Sequence, residues 1–257
     1  MARYFSSFIL LLALVPALTC ACDSKVTHYE VEVLEEYNHD TNSYTQGLFF
    51  HEGRMYESTG QYGKSTFREV DLSTGRALRK VEFDKKYFVE GSCIFNDALY
   101  ILTWENKEIF KYDPSTLEPI ARGKYPRQGW GLTTDGEQLI ASDGSAYLFF
   151  MDENLKQKRK VLVTLDEKPV RWLNELEYVD GMVWANVYMT DDIVIINPKD
   201  GKVHGVISCK GLLPRKLQKP DTDVLNGIAF NPADGSLYLT GKNWPRLYKV
   251  KIVKKND

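Results

Sequence analysis

The chain has 257 residues and a formal net charge of −2, and it is 43% hydrophobic and 26% charged. This is the composition of an ordinary globular protein, and the length fits one large domain or two small ones. Because the charge is close to neutral and forms no basic stripe, we expect no nucleic-acid partner.

The first 21 residues have the pattern of an export signal. Arg3 supplies a positive charge ahead of the apolar run from Phe8 to Leu18, and this run is short for a membrane span. We therefore predict a signal peptide over residues 1–21 and a single domain over residues 22–257. The protein is expected to be exported, either to the periplasm, to the cell envelope or out of the cell.

The end of this signal indicates lipid attachment. Ala21 is a small residue directly before Cys22, which is the arrangement at which lipoproteins are cleaved and acylated on the cysteine. Thr19 stands three residues before Cys22, where the lipoprotein pattern has leucine, so plain cleavage near Ala21 stays open. A lipid anchor on Cys22 would be the only membrane contact that the sequence predicts.

The first predicted strand of the domain covers Val26–Leu34, in which Tyr29, Val31 and Val33 alternate with polar residues and face one way. It precedes a repeat that occupies the rest of the chain. Five segments of this repeat open in the same register, with a polar or indole residue just ahead of a strand. They read Thr45-Gln46-Gly47-Leu48, Val89-Glu90-Gly91-Ser92, Gly129-Trp130-Gly131-Leu132, Leu173-Asn174-Glu175-Leu176 and Leu225-Asn226-Gly227-Ile228.

The spacing of this repeat identifies the fold class. The shared positions follow one another after 44, 40, 44 and 52 residues, and a period of this size is typical of propellers and solenoids. In each repeat we predict a first strand and a second strand, joined by a tight turn that contains a dipeptide such as Asp135-Gly136. Two further strands follow. The fifth repeat stops near Lys251, after its third strand.

The N-terminal strand supplies the missing element. Placed as the outer strand of the last unit, Val26–Leu34 closes the ring and removes an unpaired sheet edge. We therefore predict an all-β protein, a five-bladed β-propeller of four-stranded antiparallel blades closed by an N-terminal strand.

First strands line the central channel of a propeller, so the five shared positions are predicted to face one mouth. They are Gln46, Glu90, Trp130, Asn174 and Asn226. Burying Glu90 there as an anion without a cation would cost several kcal/mol. We expect its pKa to be raised instead, as proton transfer near neutral pH requires.

A second series stands four residues beyond the centre of each second strand. Its members are Gly60, Trp104, Gly144, Tyr188 and Lys242. Lys242 is the basic member and a candidate counter-charge or electrophile. The sequence leaves two plainer alternatives open: an ion pair between Glu90 and Lys242 that closes the channel, and core packing for Trp104, Trp130 and Trp184.

The sequence contains no pattern of metal ligands. The four histidines, His28, His39, His51 and His204, lack ligand spacing. Cys93 follows Glu90 by three residues but has no histidine partner in the pattern, and it is predicted, like Cys209, to be a buried thiol.

Seven motifs, in order, resemble the plant-type glutamine cyclotransferases, also called glutaminyl-peptide cyclotransferases. They are Tyr44-Thr45-Gln46-Gly47-Leu48, Phe88-Val89-Glu90-Gly91, Gly129 to Gly136, Leu173 to Tyr178, Val183-Trp184-Ala185-Asn186, Asp223 to Ala229 and Thr240 to Pro245. The resemblance implies a five-bladed propeller, in agreement with the repeat count. It also implies an enzyme that converts the N-terminal glutamine of peptides or proteins to pyroglutamate with release of ammonia.

The resemblance implies roles for single residues. Glu90 stands at the acid/base glutamate of the family, Lys242 at its active-site lysine, and Asn174 at a polar pocket position that we assign to catalysis. The residues expected to bind substrate are Gln46, Tyr44, Phe88, Trp104, Trp130, Trp184 and Asn226.

This sequence departs from the plant pattern in two places. Tyr44 stands where the plant pattern has phenylalanine, and the segment from Lys168 to Trp172 differs, which allows a different substrate context. Plant members can carry structural metal ions, but we can assign no ligand here, so we expect no required cofactor and leave a structural metal ion open.

A competing hypothesis is a lipid-anchored propeller that binds peptides or glycans without turning them over. A propeller hydrolase or lactonase is a third, but that chemistry usually requires a metal held by a cluster of axial carboxylates, and only Glu90 supplies one at the shared positions. The sequence favours a monomeric cyclotransferase acting on peptides with N-terminal glutamine.

Overall fold

The structure, a computed structural model, describes residues 25–255. The predicted signal peptide and Cys22 lie outside the described residues. The regular structure of the described chain is all strand except for one 3₁₀ turn at Arg215–Leu217. It contains no helix long and apolar enough to cross a membrane.

Most of the strands form five four-stranded antiparallel blades, which we number 1 to 5 in chain order, and blades 4 and 5 are joined in one eight-stranded sheet. The strand β1 (Thr27–Asn38) comes first. Blade 1 contains β2 (Thr45–His51), β3 (Arg54–Thr59), β4 (Thr66–Asp71) and β5 (Arg76–Glu82). Blade 2 contains β6 (Val89–Phe95), β7 (Ala98–Thr103), β8 (Glu108–Tyr112) and β9 (Pro119–Lys124).

The remaining blades repeat this order. Blade 3 contains β10 (Leu132–Thr134), β11 (Leu139–Ala141), β12 (Tyr147–Met151) and β13 (Gln157–Leu162), and a short pair follows, β14 (Thr164–Leu165) and β15 (Lys168–Pro169). Blade 4 contains β16 (Leu173–Val179), β17 (Met182–Val187), β18 (Asp192–Ile196) and β19 (Val203–Ser208). Blade 5 contributes β20 (Leu225–Asn231), β21 (Ser236–Gly241) and β22 (Arg246–Lys254). The predicted propeller is confirmed.

The N-terminal strand closes the ring, as predicted. β1 pairs antiparallel with β22 as the outer strand of blade 5, and its first four residues also pair in parallel with β19. The strand is longer than predicted and is irregular between Val33 and Glu35. Tyr29 and Val31 pack against the core, whereas Val33, the last residue before this irregularity, is 41% exposed.

The innermost strands meet so closely at the axis that most of the shared positions need a glycine after them. A β-carbon on Gly131 would lie 2.1 Å from the backbone oxygen of Asn174, and one on Gly91 would lie 2.5 Å from the backbone nitrogen of Leu132. The Gly91 N–H donates directly to the Trp130 carbonyl at 2.7 Å, which joins blades 2 and 3. The repeated glycine is therefore a requirement of ring closure.

Blade 4 has Glu175 where the other blades have glycine, and this side chain ties the ring together. The Leu48 N–H donates to Glu175 Oε1 at 3.3 Å, and the Ile228 N–H donates to Oε2 at 2.9 Å. The carboxyl group thereby accepts from the first strands of blades 1 and 5 while it belongs to blade 4.

A buried charge cluster fastens the junction between blade 5 and blade 1. His39 contacts the Trp244 carbonyl at 2.7 Å and Glu57 Oε1 at 3.0 Å, and Arg68 donates to Glu57 Oε2 at 2.7 Å and to Asp40 Oδ2 at 3.0 Å. Burial alone would raise the pKa of Glu57, but the charges of Arg68 and His39 hold it well below its usual value.

Substituting Gly131 tests the axial requirement. Gly131→Ala is expected to lower the free energy of unfolding by about 1–3 kcal/mol, because the new methyl group overpacks the junction of blades 3 and 4. The matched control is Gly123→Ala on the outer strand β9, where the added atom would meet nothing closer than 4.0 Å. Urea unfolding of both variants measures the difference, and equal free energies would contradict the packing argument.

Candidate active site

A cavity of about 310 Å³ opens at the axial mouth toward which the first strands begin. All five blades and the segment just before blade 4 contribute to its wall. The lining residues are Tyr44, Gln46, Phe88, Glu90, Trp104, Trp130, Trp172, Asn174, Tyr188 and Lys242. The volume lies at the small end of the range for ligand pockets, which suits one amino-acid residue better than an extended chain.

Three of the shared positions that line this cavity lie where the first strands are irregular. The pairing of first and second strands shifts register around Gln46, Glu90 and Asn174. A bulge of this kind re-aims a side chain that regular pleating would send elsewhere. It explains how buried strands can present polar groups at one mouth.

Side chains from the preceding blade hold two of these irregular backbones in place. Ser58 donates its hydroxyl to the Glu90 carbonyl at 2.7 Å, and Ser142 donates to the Asn174 carbonyl at 2.7 Å. The positions of Glu90 and Asn174 are therefore set by contacts between blades, not by the local strand alone.

Glu90 and Lys242 are both buried at the cavity wall, at 4% and 3% exposure. Burial raises the pKa of Glu90 well above its ordinary value, and the charge of Lys242 opposes this only in part. Burial likewise lowers the pKa of Lys242, against the opposing charges of Glu90 and Asp223. The two groups interact through their charges without a hydrogen bond, so the geometry does not support the alternative of a closed ion pair.

Two tyrosine rings flank the ammonium of Lys242. Its Nζ lies 4.9 Å from the ring centroid of Tyr44 and 4.9 Å from that of Tyr188, within the range of cation–π attraction. The Tyr44 hydroxyl donates to Asp223 Oδ2 at 2.6 Å. The hydroxyl that distinguishes Tyr44 from the plant phenylalanine thus links the cavity to an acidic residue that raises the pKa of Lys242.

One amide fixes two of the indole walls. Gln128 Oε1 accepts from the ring N–H of Trp104 at 3.1 Å and from that of Trp130 at 3.4 Å. Small residues make space for the rings beside them, since a β-carbon on Gly60 would lie 2.2 Å from the Phe88 ring and one on Gly144 would lie 2.7 Å from the Trp130 ring.

The structure places Asn226 beneath the cavity, not in its wall. Asn226 is fully buried, and its amide donates to Gln46 Oε1 at 3.1 Å and to the Thr45 carbonyl at 2.9 Å. Substrate binding by Asn226 stays a prediction: its amide nitrogen is engaged by blade 1, where it orients Gln46, and its Oδ1 has no hydrogen-bond partner among the described residues.

Trp184, which we expected to form an indole wall, is not among the described residues that line the cavity. Trp184 lies in the middle of β17 and packs on the hydrophobic cluster between blades 4 and 5. Tyr188 lines the cavity instead. Four residues of strand span about 13 Å, so a mid-strand side chain cannot reach a mouth that is formed by strand ends.

Four contributors to the site were not selected from the sequence: Tyr188, Asp223, Gln128 and Trp172. Tyr188 carried a signal, because it belongs to the series that includes Trp104 and Lys242. Asp223 opens one of the seven motifs. For Gln128 and Trp172, which lie in segments outside the repeat pattern, the sequence offered no signal beyond the departure of residues 168–172 from the plant pattern.

Within residues 25–255, no three His, Cys, Asp or Glu side chains are grouped so that they could hold a metal ion. Cys93 and Cys209 are both buried free thiols, and burial raises the pKa of each. Neither thiol lines the cavity.

The fold and the cavity define a class of protein, a five-bladed propeller with an aromatic pocket that presents a carboxyl and an amino group. The family model described as Glutamine cyclotransferase matches residues 7–252. The chain is 41% identical over 230 residues to the glutaminyl-peptide cyclotransferase of Arabidopsis thaliana, covering 87% of this chain and 71% of that protein. The crystal structure of Myxococcus xanthus glutaminyl cyclase superposes with a TM-score of 0.84 at 32% identity, over 90% of this chain and all of that one. The chain belongs to the glutamine cyclotransferase family.

The charge environment of Lys242 gives a prediction for its titration. Asp223→Asn should lower the pKa of Lys242 further, because it removes a negative charge that favours the ammonium form. Tyr44→Phe removes the hydrogen bond to Asp223 but keeps that charge, so the pKa should move less. NMR titration of ¹³C-labelled lysines, with Lys242→Arg for assignment, measures both. A Lys242 that titrates near 10.4, the ordinary value, in all three proteins would contradict the described environment.

Proposed function

We propose that this cavity is where the chain cyclises the N-terminal glutamine of a peptide or protein to pyroglutamate. The observation that carries the proposal is Glu90, a fully buried carboxyl group with a raised pKa, facing a cavity the size of one residue. A group of this kind can take up and return a proton near neutral pH.

The substrate supplies both reacting groups. Its α-amine attacks the carbon of its own γ-carboxamide, a carbon–nitrogen bond forms in a five-membered ring, and the bond to the amide nitrogen breaks to release ammonia. Because the reaction is intramolecular, holding the side chain folded back gives a large part of the rate increase. The rings of Phe88, Trp104 and Trp130 form the walls that restrict it.

Glu90 manages the protons. The nucleophile is the neutral α-amine, which is present near neutral pH because the α-ammonium group has a pKa of about 8. Glu90 takes a proton from the attacking amine and passes it to the departing nitrogen, so that ammonia leaves as a neutral molecule. Positioned proton transfer of this kind is worth roughly 10²–10⁴ in rate.

Lys242 and Asn174 stabilise the oxyanion that forms when the amine attacks. Both line the cavity, and both are almost fully buried, where a donor is worth more than in water. Gln46, held through its oxygen by Asn226, keeps its amide N–H groups for the substrate backbone. Tyr44 contributes its aromatic ring to substrate binding, and the same ring faces the Lys242 ammonium group.

Glu90→Gln tests this assignment. We expect the variant to fold but to lose about 10²–10⁴ in kcat, because glutamine cannot accept the proton. The matched control is Glu177→Gln: burial raises the pKa of Glu177 to about 8, but Glu177 lies toward the other end of β16 and does not line the cavity. Ammonia release from a Gln-peptide, corrected for spontaneous cyclisation, is the readout.

The two variants should differ sharply. Wild-type turnover in Glu90→Gln would refute its role as base, and equal losses in both variants would point to a general effect of removing a buried acid. A folded wild-type protein that binds Gln-peptides but releases no ammonia would favour the peptide-binding platform.

We further propose that the chain is exported as a lipoprotein anchored through Cys22 and that it acts as a monomer. The support for the anchor is the signal pattern of residues 1–22, and one copy of the chain supplies every group that the mechanism above uses. A periplasmic or cell-envelope location follows from the anchor.

Lipidation can be measured directly on the full-length chain in a bacterial host. Cells fed an alkyne fatty acid should yield labelled wild-type protein in the membrane fraction, and Cys22→Ala should be unlabelled. Cys93→Ala, which removes a buried thiol instead, should keep the label. An unlabelled wild-type protein cleaved near Ala21 would establish plain secretion.

A further inference from the structure

We infer that Trp172 forms a binding subsite for the second residue of the substrate, so that peptides with a large apolar or aromatic residue after the glutamine are preferred. The inference rests on the function proposed above and adds to it a substrate class. It is drawn from the exposure, the backbone and the neighbours of this one side chain.

Trp172 is the outermost part of the cavity. Of the ten described residues that line it, only Trp172 is exposed, at 54%. The charged lining residues Glu90 and Lys242 lie buried at the inner wall. The rim next to Trp172 therefore offers an apolar surface where the inner wall offers polar groups.

The backbone holds Trp172 in an unusual conformation. Its φ is +66°, in the left-handed region that bulky residues rarely occupy. The Trp172 N–H donates to the Gly144 carbonyl at 2.9 Å, and its carbonyl accepts from the Tyr188 N–H at 2.9 Å. Such conformations concentrate at ligand-binding and catalytic sites. In this protein, the two hydrogen bonds to neighbouring blades maintain the left-handed conformation of Trp172.

The indole is also held by aromatic neighbours. Its ring centroid lies 6.1 Å from that of Trp130 and 6.5 Å from that of Tyr188. The indole thus contacts two rings of the cavity wall, while Trp172 stays 54% exposed. A rigid, half-exposed indole can bind a ligand without a large loss of conformational entropy.

The occupant follows from the covalent structure of the substrate. Cyclisation keeps the α-amine and the carboxamide of residue one beside Glu90 and Lys242. The carbonyl carbon of residue one is bonded to residue two, whose Cα lies 3.8 Å further along the chain. In a cavity of about 310 Å³, residue two must leave by the mouth, where Trp172 forms the rim. An aromatic or large apolar side chain there can stack on the indole.

The subsite predicts a specific kinetic pattern. We expect wild-type kcat/KM to be about 3- to 10-fold higher for Gln-Phe-Ala than for Gln-Ala-Ala, as an aromatic contact would give. Trp172→Ala should abolish this preference, and Trp172→Phe should keep most of it. Glutamine amide lacks a second residue, so Trp172→Ala should lower kcat/KM for it by a much smaller factor than for Gln-Phe-Ala.

The control variant is Leu78→Ala, which removes another exposed apolar side chain, on β5, that does not line the cavity. It should keep the wild-type preference. Unfolding temperatures of all variants establish that they are folded.

Two outcomes overturn the subsite: Trp172→Ala retains the preference for Gln-Phe-Ala, or it loses as much activity on glutamine amide as on that peptide. If the wild type cyclises no substrate, the proposed function fails instead. Calorimetric binding of Gln-Phe-Ala and Gln-Ala-Ala to wild type and Trp172→Ala then decides the subsite by itself, and equal affinities for the two peptides in the wild type overturn it.

Discussion

The close approach of the five innermost strands at the axis is the constraint on which the rest of the structure depends. The contact is so tight that a β-carbon at Gly131 would lie 2.1 Å from the Asn174 carbonyl oxygen. Only Glu175 departs from the small residues at this level, and its carboxyl group accepts backbone N–H groups from two other blades. With the backbones fixed in this way, the residue before each glycine is brought to the same end of the channel.

Two buried glutamates show that the same type of side chain has different roles in different parts of the ring. Glu57 is buried with Arg68 and His39, whose charges hold its pKa below the usual range, and it serves the junction of blades 1 and 5. Glu90 is also buried, but the charge of Lys242 only partly offsets the effect of burial, so the pKa of Glu90 is raised. A carboxyl group left without a close cation is costly to the fold and useful for proton transfer. The charge cluster and the axial contacts stabilise the framework that tolerates it.

The cavity is assembled from the ends of strands, and hydrogen bonds between blades hold these ends in place. Gln128 joins the indoles of blades 2 and 3 through one oxygen, and Ser58 and Ser142 fix backbones of the blades that follow them. Each of these contacts crosses from one blade to the next. The geometry around the substrate is therefore a property of the closed ring, consistent with the preorganisation that a cyclisation reaction needs.

The sequence by itself determined the repeat, the number of blades, the closing strand and the end of the channel at which polar residues gather. These follow from local periodicity and from the need to pair sheet edges. It also singled out Glu90, Lys242, Asn174 and Gln46, since a polar residue at an axial position stands out from its apolar surroundings.

Only the tertiary structure decided which aromatic residues line the cavity. Trp184 and Tyr188 belong to the same strand and its end, and their roles differ because one faces the interface of blades 4 and 5 while the other reaches the mouth. Contacts between residues far apart in sequence, such as Tyr44 with Asp223 and Asn226 with Gln46, likewise arise only when the ring closes.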